Sequence, residues 1–275
     1  MTAKLGILAG GGELPRRLIK LCHETGREVF LVAFTGQTDP ETTLGVDHLW
    51  TRLGAAGQVI KRLQQEDVRE LVMVGPIKRP SMAELRPDWR AVQFFARVGA
   101  KSLGDDSLLR SVISALEEEG FLFRGVDDLL QDLIAPEGLY GHAVPDEQAY
   151  SDIRRGVEVA KAMGRVDVGQ SVVVQQGLVL GVEAIEGTDA LLIRCGHLKR
   201  EGAGGVLVKL KKPEQERRAD LPTIGIETLR RAAESGLRGI AIEAGGALVV
   251  DRDALSLEAD KLGLFVLGIS PSDYE

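Results

Sequence analysis

Lys4-Leu-Gly-Ile-Leu-Ala-Gly-Gly-Gly-Glu-Leu-Pro15 is the stretch that decides the fold. Residues 4–9 form a short apolar run, of the length and character of a buried strand. Gly10, Gly11 and Gly12 then break the pattern, and Leu14, Leu18, Leu21 and Cys22 recur at helical spacing. Pro15 suits a first helical turn and Gly26 a helix end. A strand, a glycine turn and a helix therefore follow one another directly.

Working outward, residues 29–34 read as a second strand, 57–66 as a helix and 71–74 as a third strand. Strand and helix alternate, so the economical arrangement is a parallel sheet with helices against it, a Rossmann-like domain over residues 1–134. Residues 87–119 turn helical, with Leu108, Leu109, Val112, Ile113 and Leu116 as the stripe. Residues 135–146 are rich in turn formers, which places an interdomain linker at 135–149. A mixed α/β domain is expected over 150–275. Its helix at 153–163 leads to strands at 171–175 and 178–184, turning at Gln176-Gly177. A helix at 190–199, a strand at 206–210, a helix from Ile226, a helix at 254–262 and a strand at 264–269 complete it. The expected class is α/β with two domains.

With 275 residues, 44% of them hydrophobic, the chain can bury a core in each of two domains. Its formal charge of −7 argues against nucleic acid as a partner, which would need a broad basic surface. A small phosphorylated ligand needs only a local cluster of donors. Cys22 and Cys195 lack the spacing of a zinc site or a disulfide framework, which points to a reducing cytoplasm. No signal-peptide pattern or membrane-length apolar run is visible.

Four places carry candidate chemistry. Asp220-Leu-Pro-Thr-Ile-Gly225 sets a carboxylate, the Thr223 hydroxyl and Gly225 at the mouth of a helix, where free N–H groups attract anions and an acid would hold a hard cation. Glu186-Gly-Thr-Asp189 sits between a strand and a helix. Thr188 reads there as an N-cap, and Glu186 and Asp189 as groups able to approach a metal or a substrate hydroxyl. Lys209 interrupts the apolar run Val206-Leu-Val-Lys-Leu210, so it must point somewhere specific, and a diphosphate is a suitable partner. Lys78, with Arg79, ends the third strand, where open parallel sheets bind ligands.

The glycine turn could also cradle phosphate. It is neither a clean G-x-G-x-x-G fingerprint nor a Walker A loop, and Val32-Ala-Phe-Thr35 lacks the acid that holds a dinucleotide ribose. An NAD(P)-dependent oxidoreductase is thus a weaker alternative. A noncatalytic nucleotide-sugar sensor, in which the acids are only caps, is another.

Taken together, Ala9-Gly-Gly-Gly-Glu-Leu-Pro15, Gly104-Asp-Asp-Ser-Leu-Leu-Arg110, Gly181-Val-Glu-Ala-Ile-Glu-Gly-Thr-Asp189 and Lys212-Pro-Glu-Gln-Glu-Arg-Arg-Ala-Asp-Leu-Pro-Thr-Ile-Gly225 give a resemblance over nearly the whole chain. The chain resembles the UDP-2,3-diacylglucosamine diphosphatases of the lipid A pathway that are unrelated to calcineurin-like metallophosphoesterases. The resemblance implies two α/β domains, Mg2+, and hydrolysis of UDP-2,3-diacylglucosamine to UMP and 2,3-diacylglucosamine 1-phosphate. It implies action at the cytoplasmic face of the inner membrane through transient surface contact, and it allows a homodimer. Asp220 matches the acid of the family's D-x-P-T-x-G motif. The expected catalytic residues are Asp220, Glu186 and Asp189, with Asp220 and Asp189 as metal ligands. Gly10, Gly11, Gly12, Lys78, Thr188, Lys209, Thr223 and Gly225 are the expected substrate-binding residues.

Overall fold

The computed structural model describes residues 3–78, 85–98, 105–213 and 215–274. The chain divides into two compact units, Met1–Gln131 with Glu216–Asp220, and Asp132–Gln215 with Leu221–Glu275. Arg79 and Gly104 lie outside the described residues.

In the first unit, β1 (Leu5–Ala9), β2 (Val29–Phe34), β3 (His48–Thr51), β4 (Glu70–Val74) and β5 (Leu122–Phe123) form one parallel sheet in the order β3-β2-β1-β4-β5. Growth in both directions from a central β1 is the doubly wound pattern. β1 and β2 are buried at every position, as expected of inner strands in a sheet covered on both faces. Phe30, Val32 and Leu71 pack with Val59, Ile60 and Leu63 of helix Ala56–Gln65 and with Ile113 and Leu116 of helix Asp105–Glu118. Pro15 occupies the first turn of helix Leu14–Glu24, and Gly26 follows its end with φ of 67°. The short edge strand β3 carries no apolar run and was not expected.

The glycines after β1 serve a close crossing. A Cβ at Gly10 would stand 2.4 Å from the carbonyl oxygens of both Gly75 and Pro76, so the turns after β1 and β4 can pass only with glycine there. At the other end of β4, the Glu70 carboxylate bridges Arg27 and Arg124, with Arg124 Nε 3.0 Å away. Burial would push the Glu70 carboxyl up, but the Arg124 hydrogen bonds and the charges of Arg124 and Arg27 win and hold it below the usual range.

The second unit is built on a mixed sheet of β6 (Gly138–Leu139), β7 (Ser171–Gln175), β8 (Leu178–Val182), β9 (Val206–Lys209), β11 (Gly239–Glu243) and β13 (Phe265–Ile269). Their order is β6-β13-β11-β9-β7-β8, with β9, β11 and β13 parallel. A separate parallel pair joins β10 (Thr223–Ile224) to β12 (Leu248–Val249). Helix Glu147–Arg165 covers one sheet face, setting Ala149, Ile153, Val157 and Ala160 against Val172, Val206, Val208 and Phe265. The opposite face receives Leu191, Leu192 and Cys195 of helix Gly187–Gly196, Leu229 and Ala232 of helix Ile226–Glu234, and Leu255 and Ala259 of helix Arg252–Leu262.

Gln176 and Gly177, both at positive φ, make the tight β7–β8 turn. Residues 135–149 do not behave as a linker. Ala135 and Tyr140 are core residues of the second unit, β6 pairs antiparallel with β13, and Asp146 caps helix Glu147–Arg165 by accepting the Ala149 amide at 2.8 Å. Their turn-rich composition reflects short connections between packed elements. Among the described residues, no helix is long and apolar enough to cross a membrane.

Candidate active site

Alternation along β9 determines where its lysine goes. Val206 and Val208 face helix Glu147–Arg165, whereas Leu207 joins the core on the other side, and Lys209 continues the Leu207 face. Ser171 stands opposite Lys209 in the β7–β9 register, and Glu183 follows β8 with its amide bonded to the Ser171 carbonyl at 2.8 Å. Three adjacent strands thus bring Glu183, Ser171 and Lys209 side by side. All three are buried, at 6%, 0% and 7% exposure.

Thr188, in the first turn of helix Gly187–Gly196, lies over them. Its hydroxyl donates to Glu183 Oε1 at 2.7 Å, accepts from Lys209 Nζ at 3.0 Å and is 3.3 Å from Ser171 Oγ. Lys209 Nζ also donates to the Thr223 carbonyl at 3.2 Å, which ties β9 to the tract leading into helix Ile226–Glu234. An ammonium has three donors. Two are used, and among the described residues no partner takes the third. A buried cation at the carboxyl end of a parallel strand, with a donor to spare, is chemically an anion site.

The structure brings together Lys209, Thr188 and Thr223, the last through its carbonyl, and treats the other expected residues differently. Thr188 is not an N-cap: the helix begins after Glu186, and the hydroxyl faces Glu183 and Lys209. Glu186 accepts the Ala184 amide at 3.1 Å and the Arg194 guanidinium at 2.7 Å, so it locks the turn before the helix. Its own amide and Arg194 hold its carboxyl below the usual range. Asp189 is exposed and lies 3.1 Å from Arg231 Nε. The Thr223 hydroxyl donates to the Leu221 carbonyl at 3.0 Å, and the Gly225 amide approaches the Thr228 hydroxyl at 3.4 Å.

In the first unit, the three glycine amides are already engaged. Gly10 donates to the Val74 carbonyl, Gly11 to the Pro76 carbonyl, and Gly12 to Asp39 Oδ2 at 2.7 Å. They form no open phosphate cradle, because the Asp39 carboxylate takes the position an anion would use. Lys78 is exposed, and its backbone is held at both polar groups by the Gln37 side chain. Asp220 is exposed and ends the segment Glu216–Asp220, in which Arg217 pairs with Asp127 at 2.7 Å and Arg218 with Glu117 at 2.6 Å. Lys212 pairs with Asp167 at 2.6 Å. Much of the basic character before Asp220 is therefore structural.

Glu183 and Ser171 were missed as functional candidates. Their signal is the polar interruption of apolar strands on the Lys209 face, which has meaning only once the register of β7, β8 and β9 is known. Among the described residues, no three His, Cys, Asp or Glu side chains gather as a metal cluster. Mg2+ asks for less, since it commonly binds one or two carboxylates and completes its shell with phosphate and water. Asp220 offers an exposed carboxylate, and Asp189 lies beside Arg231.

Family models match both halves of the chain, the LpxI N-terminal domain over residues 4–133 and the LpxI C-terminal domain over 136–267. A curated relative from Caulobacter vibrioides, named UDP-2,3-diacylglucosamine pyrophosphatase LpxI, is 41% identical, the alignment covering 98% of this chain and 99% of the relative. A 2-succinylbenzoate–CoA ligase of Bacillus cereus is 29% identical over 48% of this chain and 27% of its own length. Among solved structures, a CobK precorrin-6A reductase aligns over 98% of this chain and 88% of its own, with 12% identity and a TM-score of 0.33. Two family domains in order and a relative matched end to end lead to one conclusion: the chain belongs to the LpxI family.

Proposed function

We propose that this chain hydrolyses the diphosphate of UDP-2,3-diacylglucosamine, giving UMP and 2,3-diacylglucosamine 1-phosphate in lipid A biosynthesis. The observation that carries the reading is the buried Lys209 ammonium with an uncommitted donor at the carboxyl end of β9. The named activity of the Caulobacter vibrioides relative supports the substrate. A phosphate oxygen on the free Lys209 donor would gain a charge-assisted bond in a site that excludes water, where such bonds are strongest. Thr188 would keep that donor aimed, and the tract Thr223 to Gly225 would border the same site.

Asp220 would hold Mg2+. When bound, the metal supplies charge neutralisation on the phosphate oxygens and can orient water. Asp220 precedes Thr223 by three residues in the sequence. Hydrolysis adds one water across the P–O–P link: its oxygen joins one phosphorus, the bridging bond breaks, and the two phosphates share the protons. Glu186 serves the fold in this reading. The enzyme would meet its lipid substrate by transient contact with the membrane surface.

The test is release of UMP from UDP-2,3-diacylglucosamine by the purified protein with Mg2+. Asp220→Ala should lower turnover by about a hundredfold or more while leaving the fold largely intact. Unchanged Mg2+-dependent release in that variant refutes the role of Asp220, and no UMP from the parent protein refutes the activity.

A further inference from the structure

We propose that Glu183 is a positioning residue that, through the Thr188 hydroxyl, aims the Lys209 ammonium at the substrate diphosphate. This rests on the reading of Lys209 as the diphosphate ligand. A lysine ends a flexible four-carbon stem, and nothing in β9 itself would fix its head. What fixes it is a directed chain of donors. Lys209 Nζ donates to Thr188 Oγ1, whose own proton is thereby committed to Glu183 Oε1. Glu183 is held in turn, accepting the Gln170 amide at 3.3 Å on its other oxygen.

The order of this relay matters. Because the Thr188 proton goes to the carboxylate, its oxygen lone pairs face the ammonium and can only accept. Glu183 also gives the buried cation a counter-charge without touching it, which a direct ion pair would not do. A direct pair would occupy the donor that a phosphate needs. The Thr223 carbonyl takes a second proton, and the third remains for the ligand.

The experiment measures kcat and KM for UMP release with Mg2+ in Lys209→Met, Thr188→Val, Thr188→Ser, Glu183→Gln and the Glu183→Gln/Thr188→Val double variant, with melting temperatures alongside. Lys209→Met should lower kcat/KM by about a hundredfold and Thr188→Val by about tenfold, with Thr188→Ser restored to within about threefold of the parent. The double variant should be no worse than Thr188→Val alone, since either change breaks the same relay.

If Lys209→Met stays within about threefold of the parent, the reading of Lys209 itself fails. If Lys209→Met is crippled while Thr188→Val and Glu183→Gln are near normal, the relay alone is overturned. Independent, multiplying losses in the double variant also overturn it. Should Glu183→Gln fail to fold, the contrast between Thr188→Val and Thr188→Ser decides: loss with rescue supports the relay, and equal activity refutes it.

Discussion

Gly156→Ala tests the packing that sets β9, and with it Lys209. Gly156 lies in the middle of helix Glu147–Arg165, where alanine would ordinarily add about 1 kcal/mol of helix propensity. Here a Cβ would come 2.4 Å from Val208 Cγ2 and 2.8 Å from Val208 Cβ. Val208 is fully buried in an inner strand, and a β-branched side chain has little rotamer freedom with which to yield. To regain ordinary carbon contact near 3.5–4.0 Å, the helix must retreat by about 1 Å, loosening Ile153, Val157 and Ala160 from the sheet as well. Overpacking of this kind costs about 3 kcal/mol at its upper range, so after the propensity gain a net loss of about 2 kcal/mol is expected.

Urea denaturation followed by far-UV circular dichroism measures that loss, and hydrogen exchange of β9 amides localises it. Trp50 and Trp89 both belong to the first unit, so their fluorescence provides a reference. Val208→Ala alone should cost about 2 kcal/mol, yet the double variant should recover at least about 1 kcal/mol relative to the sum, because the smaller side chain makes room for the new methyl. A Gly156→Ala protein as stable as the parent, or additive losses in the cycle, would refute the close-packing argument.

Glu70 has its folded carboxyl held low, so its stabilising contribution is complete above the unfolded glutamate value of about 4.3 and is lost as pH falls through the lower folded value. The stability gap between the parent and Glu70→Gln should therefore be constant near neutrality and shrink in acid, as read from melts across pH; a gap that widens in acid contradicts it. Burial pushes both the Cys22 and Cys195 thiols up, so neither should be alkylated by iodoacetamide until urea unfolds the protein, which mass spectrometry would detect. Glu186→Gln should keep activity within about fivefold of the parent, because Glu186 engages Arg194 and the Ala184 amide; a hundredfold loss would return it to the catalytic residues.

What could be read from the sequence was whatever a short window contains. The run from Leu5 to Ala9 with its glycine turn and following helix announced the parallel sheet, and Gln176-Gly177 announced a tight turn. Lys209 was visible as a charge breaking an apolar strand. β3 was invisible because His48, Leu49 and Trp50 are at most half-buried at the sheet edge, and β6 because two residues hold no periodicity. Acids near helix starts drew a metal-ligand reading from their position alone. Glu186 and Asp189 have arginines eight residues on in the same helix and in a neighbouring helix, respectively, and nothing local distinguishes such pairs from metal ligands. Glu183 needed three strands in register before its neighbours existed.

The short segment Glu216–Asp220 belongs with the first unit although the chain on both sides of it belongs with the second. Ala219 rests against the first core, and Arg217 and Arg218 satisfy Asp127 and Glu117. The halves are therefore not separable by one cut. A fragment ending at residue 131 would leave two acids without their arginines and a gap in its apolar cover. Swapping halves between relatives would need those five residues to travel with the opposite half, so the two parts are expected to evolve as one unit rather than be shuffled independently.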